Sequence, residues 1–119
     1  MNTPIHTPNA PAAIGPYSQA VQTGNMLFVS GQIPIDPATG AFAGEDITTQ
    51  THQSLTNIRN ILAAAGYTMN DVVKTTVLLA DIADFGAMNA VYAEYFSENK
   101  PARAAFAVKD LPRGALVEI

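Results

Sequence analysis

The chain has 119 residues, 48% of them hydrophobic and 13% charged, with a formal net charge of −4 and no cysteine. This length fits one compact domain, residues 1–119, and the acidic balance offers no basic footprint for nucleic acid. Without cysteine, disulfides, thiolate nucleophiles and thiolate-held metals are excluded, so any chemistry must use oxygen and nitrogen groups. The stretch Met1 to Thr7 lacks the positive start and apolar run of a signal peptide, and no apolar run approaches the roughly 18 residues that span a bilayer. A cytoplasmic protein with no membrane contact is the expectation.

Residues 1–16 carry Pro4, Pro8, Pro11 and Pro16, which block helix and predict an extended arm or loop ending at Gly15-Pro16-Tyr17. A strand is expected over Ser18–Val21, then the turn Thr23-Gly24-Asn25 and a second strand from Met26 to Ser30, which together read as a β-hairpin. Asp36-Pro37-Ala38-Thr39-Gly40 is a further turn. From Asp46, a plausible N-cap, the apolar positions Ile47, Leu55, Ile58, Leu62 and Ala65 follow helical spacing until Gly66 stops them. Val72–Leu79 is rich in β-branched residues and predicts a strand. After Asp84, the stripe Phe85, Met88, Tyr92, Tyr95 and Phe96 predicts a second helix. Ala102–Val108 and Leu116–Ile119 are expected to form a strand pair around the turn Leu111-Pro112-Arg113-Gly114.

Strands, helix, strand, helix and strands make an α+β fold, a mixed sheet with two helices packed on one face. Yet Met26–Val29 is continuously apolar, and Val72, Val73, Val77, Leu78 and Leu79 put apolar groups on both faces of their strand. A second face of this kind needs cover, and another subunit is the expected source.

Several residues are candidates for chemistry. Arg103 follows Pro101-Ala102 among small and apolar neighbours, where a guanidinium needs an anionic partner. That partner is either a ligand carboxylate or, structurally, Glu118 or Asp110. Glu118, between Val117 and Ile119, either activates water in a dry setting or lies exposed on an edge strand. Tyr17 either projects a phenol into a cleft or anchors the arm. Ser30-Gly31-Gln32 ends an apolar strand, and Gly31 there permits close approach to the backbone. Asn89 shares a helical face with Phe85, Tyr92 and Phe96, as a buried hydrogen-bonding group or as a pocket residue. His6 and His52 have no acid or histidine partner at ligand spacing, so no metal site is expected, and Lys74 reads as part of a solvated face.

Pro101-Ala102-Arg103-Ala104-Ala105-Phe106, Lys109-Asp110-Leu111 and Val117-Glu118-Ile119 together resemble the C-terminal signature of the RidA (YjgF) family. Supporting matches are Asn9 to Gln19, Ser30 to Pro34, Gln53 to Ile58 and Val73 to Val77. The resemblance implies a chorismate-mutase-like fold assembled as a homotrimer with clefts between subunits. It further implies cofactor-free hydrolytic deamination of 2-aminoacrylate or 2-iminopropanoate and of 2-iminobutanoate to 2-oxo acids and ammonia. Arg103 would clamp the substrate carboxylate, Glu118 would hold the attacking water with the Gly31 carbonyl, and Tyr17, Ser30 and Asn89 would line or support the cleft. Two other activities fit the same family: a non-catalytic, 2-oxo-acid-binding regulatory trimer, and deamination of another substrate such as 2-aminomuconate. The ribonuclease label that some members carry fits poorly with the acidic balance. Many members have cysteine two residues after the arginine, where this chain has Ala105. Relatives usually continue the last strand beyond the Glu-Ile pair, so Glu118 is expected on a short strand.

Overall fold

The computed structural model describes residues 1–119. Gly24, at φ +58°, supplies the left-handed turn that folds β2 (Ala20–Thr23) onto β3 (Met26–Val29), with Thr23 opposite Met26. The Pro-rich arm differs from expectation, because β1 (Asn2–Ile5) pairs antiparallel with β2. Pro4 is tolerated because β1 is an edge strand, where a missing N–H costs little. The rest of the arm cannot satisfy its carbonyls in regular structure, and the buried Gln19 amide does it instead. Gln19 accepts from the Thr7 N–H at 2.7 Å and donates to the carbonyls of Thr7, Ala10 and Pro11 at 3.0, 3.3 and 2.8 Å.

Helix α1 (Ile47–Ala64) starts where Asp46 accepts from the Thr49 N–H at 2.9 Å. It ends in a Schellman pattern. Gly66, at φ +84°, donates to Ala63 O, and Tyr67 donates to Leu62 O. Helix α2 (Phe85–Tyr95) follows a short 3-10 turn whose N–H groups are capped by Asp81 rather than Asp84. Leu55, Ile58 and Leu62 of α1, with Met88, Val91, Tyr92 and Phe96 at α2, bury against Val77, Leu79, Val117 and Ile119 of the strands. Both helices therefore cover one face, as the apolar stripes require.

Strand β4 (Lys74–Leu79) lies between β5 (Ala102–Ala107) and β6 (Val117–Glu118). It runs parallel to β5, with Thr75 opposite Arg103, and antiparallel to β6, with Leu78 opposite Glu118. The expected pair between residues 102–108 and 116–119 is thus absent. The α2 crossover returns β5 parallel to β4, and the connection after Ala107 carries the chain to β4's other edge. The expected single mixed sheet is also divided into two three-stranded ladders. They are stitched where Gln32 and Ile119 exchange both backbone hydrogen bonds, at 2.8 and 3.2 Å. Glu118 consequently lies on a short strand that is held at both ends. Between β3 and the start of β4 a cavity of about 530 Å³ opens, reaching down to Ile58, Leu62 and Phe96.

Alternation turns Leu27, Val29, Val77 and Leu79 toward the helices and their neighbours the other way. On that second face Met26, Phe28 and Phe106 are 56%, 59% and 47% exposed. The single chain thus has the open apolar face that its continuous apolar runs imply.

The backbone N–H of Thr49, held by the Asp46 carboxylate, keeps the Asp46 pKa below its ordinary 3.8. A depressed carboxylate pKa contributes stability that is present above the unfolded value and lost as pH falls through the folded one. Asp46→Ala is therefore expected to melt below wild type at neutral pH, with the difference fading in strong acid. Thermal melts of both proteins from pH 2 to pH 7 check this.

Candidate active site

Arg103 projects from β5 on the helix-covered face, because it stands opposite Thr75 two residues before the buried Val77. Helix α2 passes beneath it. At the spacing i, i+4, i+7, Phe85, Asn89 and Tyr92 share one face of α2, and all three touch the guanidinium. Asn89 Oδ1 accepts from Arg103 Nη1 at 2.7 Å, while the guanidinium carbon lies 4.7 Å from the Tyr92 ring centre and 5.4 Å from that of Phe85. No carboxylate of the chain pairs with it. The sole contact of ion-pair length between a basic side chain and a carboxylate joins His52 Nε2 to Glu94 Oε2 at 3.9 Å. The structural alternative, an ion pair from Arg103 to Glu118 or Asp110, is thereby overturned. The arginine is an exposed, aromatic-backed cation with donors to spare.

Glu118 occupies the opposite face. Val117 and Ile119 point into the core, so alternation turns Glu118 outward, half-buried, toward Gly31. The approach is so close that a Cβ at Gly31 would collide with the carboxylate and stand 3.0 Å from Glu118 Cδ. Here glycine is required by space rather than by a turn. The carboxylate accepts no hydrogen bond from the chain, and burial raises its pKa above the ordinary 4.5. A carboxylate whose pKa is raised holds a proton more readily than a free one, which suits a group that takes and returns protons. Ser30 is anchored beside Gly31, its hydroxyl donating to Ser18 O at 2.6 Å and its N–H to Gln19 O at 3.0 Å. Tyr17 precedes Ser18 and is 54% exposed, its N–H donating to Gly15 O.

The candidate residues therefore form two groups within one chain. Arg103 and Asn89 meet on the helix side, and Gly31 and Glu118 meet on the open side with Ser30 tied alongside. The pairing of Arg103 with Glu118 does not occur in the single chain, since residues opposite Thr75 and Leu78 of β4 point to opposite faces. Asn89, read on sequence as a structural or pocket residue, is the acceptor for the arginine. Phe85, Tyr92 and Thr75 entered the sequence reading only as packing and strand residues. Their signal was the helical spacing that places two aromatics and an amide on one face. Tyr92 also bonds Thr75 Oγ1 at 2.7 Å. His52 is less isolated than its spacing suggests, with Nδ1 at 2.9 Å from Tyr95 Oη. No three His, Asp or Glu side chains converge as a metal site would require. Lys74 is exposed, as expected of a solvated face.

Comparison with known proteins gives a consistent picture. The family model described as Endoribonuclease L-PSP matches residues 7–119. A RutC family protein of Pyrococcus horikoshii is 59% identical over 119 residues, which are 100% of this chain and 94% of that protein. The mouse protein named 2-iminobutanoate/2-iminopropanoate deaminase is 52% identical over 97% of this chain and 85% of its own length. The crystal structure of the Escherichia coli YjgF gene product superposes with a TM-score of 0.94 at 46% identity, covering 98% of this chain and 93% of that one.

The environment of Glu118 has a measurable consequence. A raised folded pKa means that the protonated form is favoured by folding, so the associated stability is present below the unfolded value and lost as pH rises through the folded one. Glu118→Gln, which cannot ionise, is expected to melt above wild type at pH 7, with the gap closing below pH 4.5. Gly31→Ala should push the side chain toward solvent and lower the Glu118 pKa, read by carboxyl-carbon NMR titration.

Proposed function

The chain belongs to the Endoribonuclease L-PSP (RidA/YjgF) family, and from that membership and its two half-sites we propose that it hydrolyses reactive enamines and imines of 2-oxo acids. The substrates are 2-iminopropanoate, 2-iminobutanoate and their enamine tautomers, which leave as pyruvate or 2-oxobutyrate and ammonia. The observation that carries this reading is the Arg103 guanidinium, which is oriented by Asn89 and Tyr92 and has no carboxylate of its own chain. A planar fork of this kind suits a substrate carboxylate.

With the carboxylate on Arg103, the imine carbon is presented for attack. Glu118 and the Gly31 carbonyl hold the water, and Glu118 takes its proton as oxygen bonds to that carbon. The imine enters protonated on nitrogen, so the adduct is a neutral carbinolamine. Glu118 returns its proton to that nitrogen, the C–N bond breaks to release ammonia, and the hydroxyl proton passes to the freed Glu118 carboxylate as the 2-oxo acid carbonyl forms. One carboxyl group thus serves as base and then as acid, and its desolvated setting against Gly31 fits both roles. The imine carbon is already electrophilic, so the steps as written require no cofactor.

Because Arg103 and Glu118 face opposite sides of the sheet, the complete site forms between subunits, Arg103 of one and Glu118 of another. Burying Met26, Phe28 and Phe106 supplies the driving force for a homotrimer. Tyr17, Ser30 and Gly31 line the Glu118 side of this cleft and Asn89 the Arg103 side. We further propose that residues 1–119 act as one domain in the cytoplasm; no helix of the chain is long and apolar enough to cross a membrane.

The test is ammonia release from 2-aminoacrylate generated in place by a dehydratase. Wild type should accelerate it, and Arg103→Ala should lose about 10- to 150-fold, the loss of one charge-assisted contact. Arg103→Ala and Glu118→Gln should each, alone, fall well below wild type. Refolded together in equal amounts, they should regain activity in about a quarter of clefts, because random assembly pairs an intact Arg103 with a neighbour's intact Glu118 that often. Unchanged activity in Arg103→Ala overturns the mechanism, and absence of rescue overturns the shared site. Binding of 2-oxobutyrate without turnover would make the protein a binder rather than a catalyst.

A further inference from the structure

An arginine on an edge strand samples many rotamers, and each one lost on ligand binding weakens the ligand. Arg103 is exposed, yet its guanidinium is fixed from below by Tyr92, and Tyr92 is itself fixed. The Tyr92 ring is buried, packs on Phe96 at 4.7 Å between centres, and sends its hydroxyl to Thr75 Oγ1 at 2.7 Å. Thr75 is the residue opposite Arg103 in the β4–β5 ladder. The contacts therefore close a ring: Arg103 to Thr75 through the strand register, Thr75 to Tyr92 through the hydroxyls, and Tyr92 back to the guanidinium through its face. Asn89 takes Nη1. Nε and Nη2 donate to no group of the chain, which leaves one edge of the fork free.

We propose that Tyr92 and Thr75 are positioning residues: their hydrogen bond sets the plane in which the free Nε and Nη2 edge of Arg103 meets the substrate carboxylate. This rests on the deaminase reading above, because the carboxylate is that of its substrate. Neither hydroxyl touches the reacting atoms. A planar, two-point ligand contact is sensitive to rotation of the fork, whereas a point charge would not be, so the brace matters for an arginine in a way it would not for a lysine.

Tyr92→Phe keeps the ring and removes only the hydroxyl, and Thr75→Val keeps the shape of the threonine. Each is expected to raise KM and weaken 2-oxobutyrate binding by calorimetry about 3- to 10-fold, with kcat little changed. The double variant should be no worse than either single one, since both cut the same bond, and Thr75→Ser should restore wild-type values. A brace with a purely structural role would lower the melting temperature and leave KM and 2-oxobutyrate affinity at wild-type values, which would overturn the proposal. So would additive losses in the double variant. If wild type neither turns over the imine nor binds 2-oxobutyrate, the functional reading itself fails. If Arg103→Ala loses binding while Tyr92→Phe and Thr75→Val retain it, only the brace fails.

Discussion

Strand β4 is the constraint on which the candidate site depends. It is flanked on both edges, parallel to β5 and antiparallel to β6, and its own alternation is locked by Val77 and Leu79 in the core. A strand with one face buried cannot slip by a single residue without turning its apolar set outward. Arg103, opposite Thr75, is therefore fixed on the helix side, and Glu118, opposite Leu78, on the other. No rotamer change reverses that assignment. The separation of the two charged residues follows from core packing rather than from any feature of the residues themselves.

Two features of the single chain are costly when taken one at a time, a half-buried carboxylate without a donor and three large apolar side chains in water, while the solvated guanidinium simply lacks an anion. Folding by itself relieves none of them. In the assembly proposed above, the apolar face is covered and a bound substrate brings its carboxylate to the arginine and its water to the glutamate. Sites that hold uncompensated groups in readiness trade stability for function, and under the function proposed above Glu118 is where that trade falls.

Much of this was legible in the sequence where a local rule governs. Asp46 and Gly66 bound α1 because capping and a left-handed stop are properties of single residues. The stripe from Phe85 likewise declares α2 through its period. The hairpin at Gly24 needed only a two-residue turn. Pairing between distant strands has no such local signature. Residues 102–107 and 117–118 look like neighbours in the chain, yet β4 lies between them, because the helix crossover favours a parallel partner and the last strand takes the remaining edge. The arm is extended as expected, but its pairing at Asn2–Ile5 was not legible for a related reason: Pro4 excludes a central strand but not an edge one. The candidate site residues were singled out through the family resemblance. Their division between two faces was not legible, since it depends on register.

The same parity explains how the work is divided. On the helix face, Arg103, Asn89, Phe85, Tyr92 and Thr75 cluster around one guanidinium, built from a helix face and a strand pair that hold one another in place, and the function proposed above assigns this cluster the substrate carboxylate. Ala105 lies on that same face, opposite the buried Val77, and packs against the core. A side chain at this position therefore lies on the Arg103 side of the sheet and away from Glu118 of its own chain. On the open face, Glu118 packs closely on Gly31 and is partly desolvated there, and the function proposed above assigns this pair the attacking water. The first half is rigid through contacts, and the second is tuned through burial. Each strand of the ladder can serve only one of them.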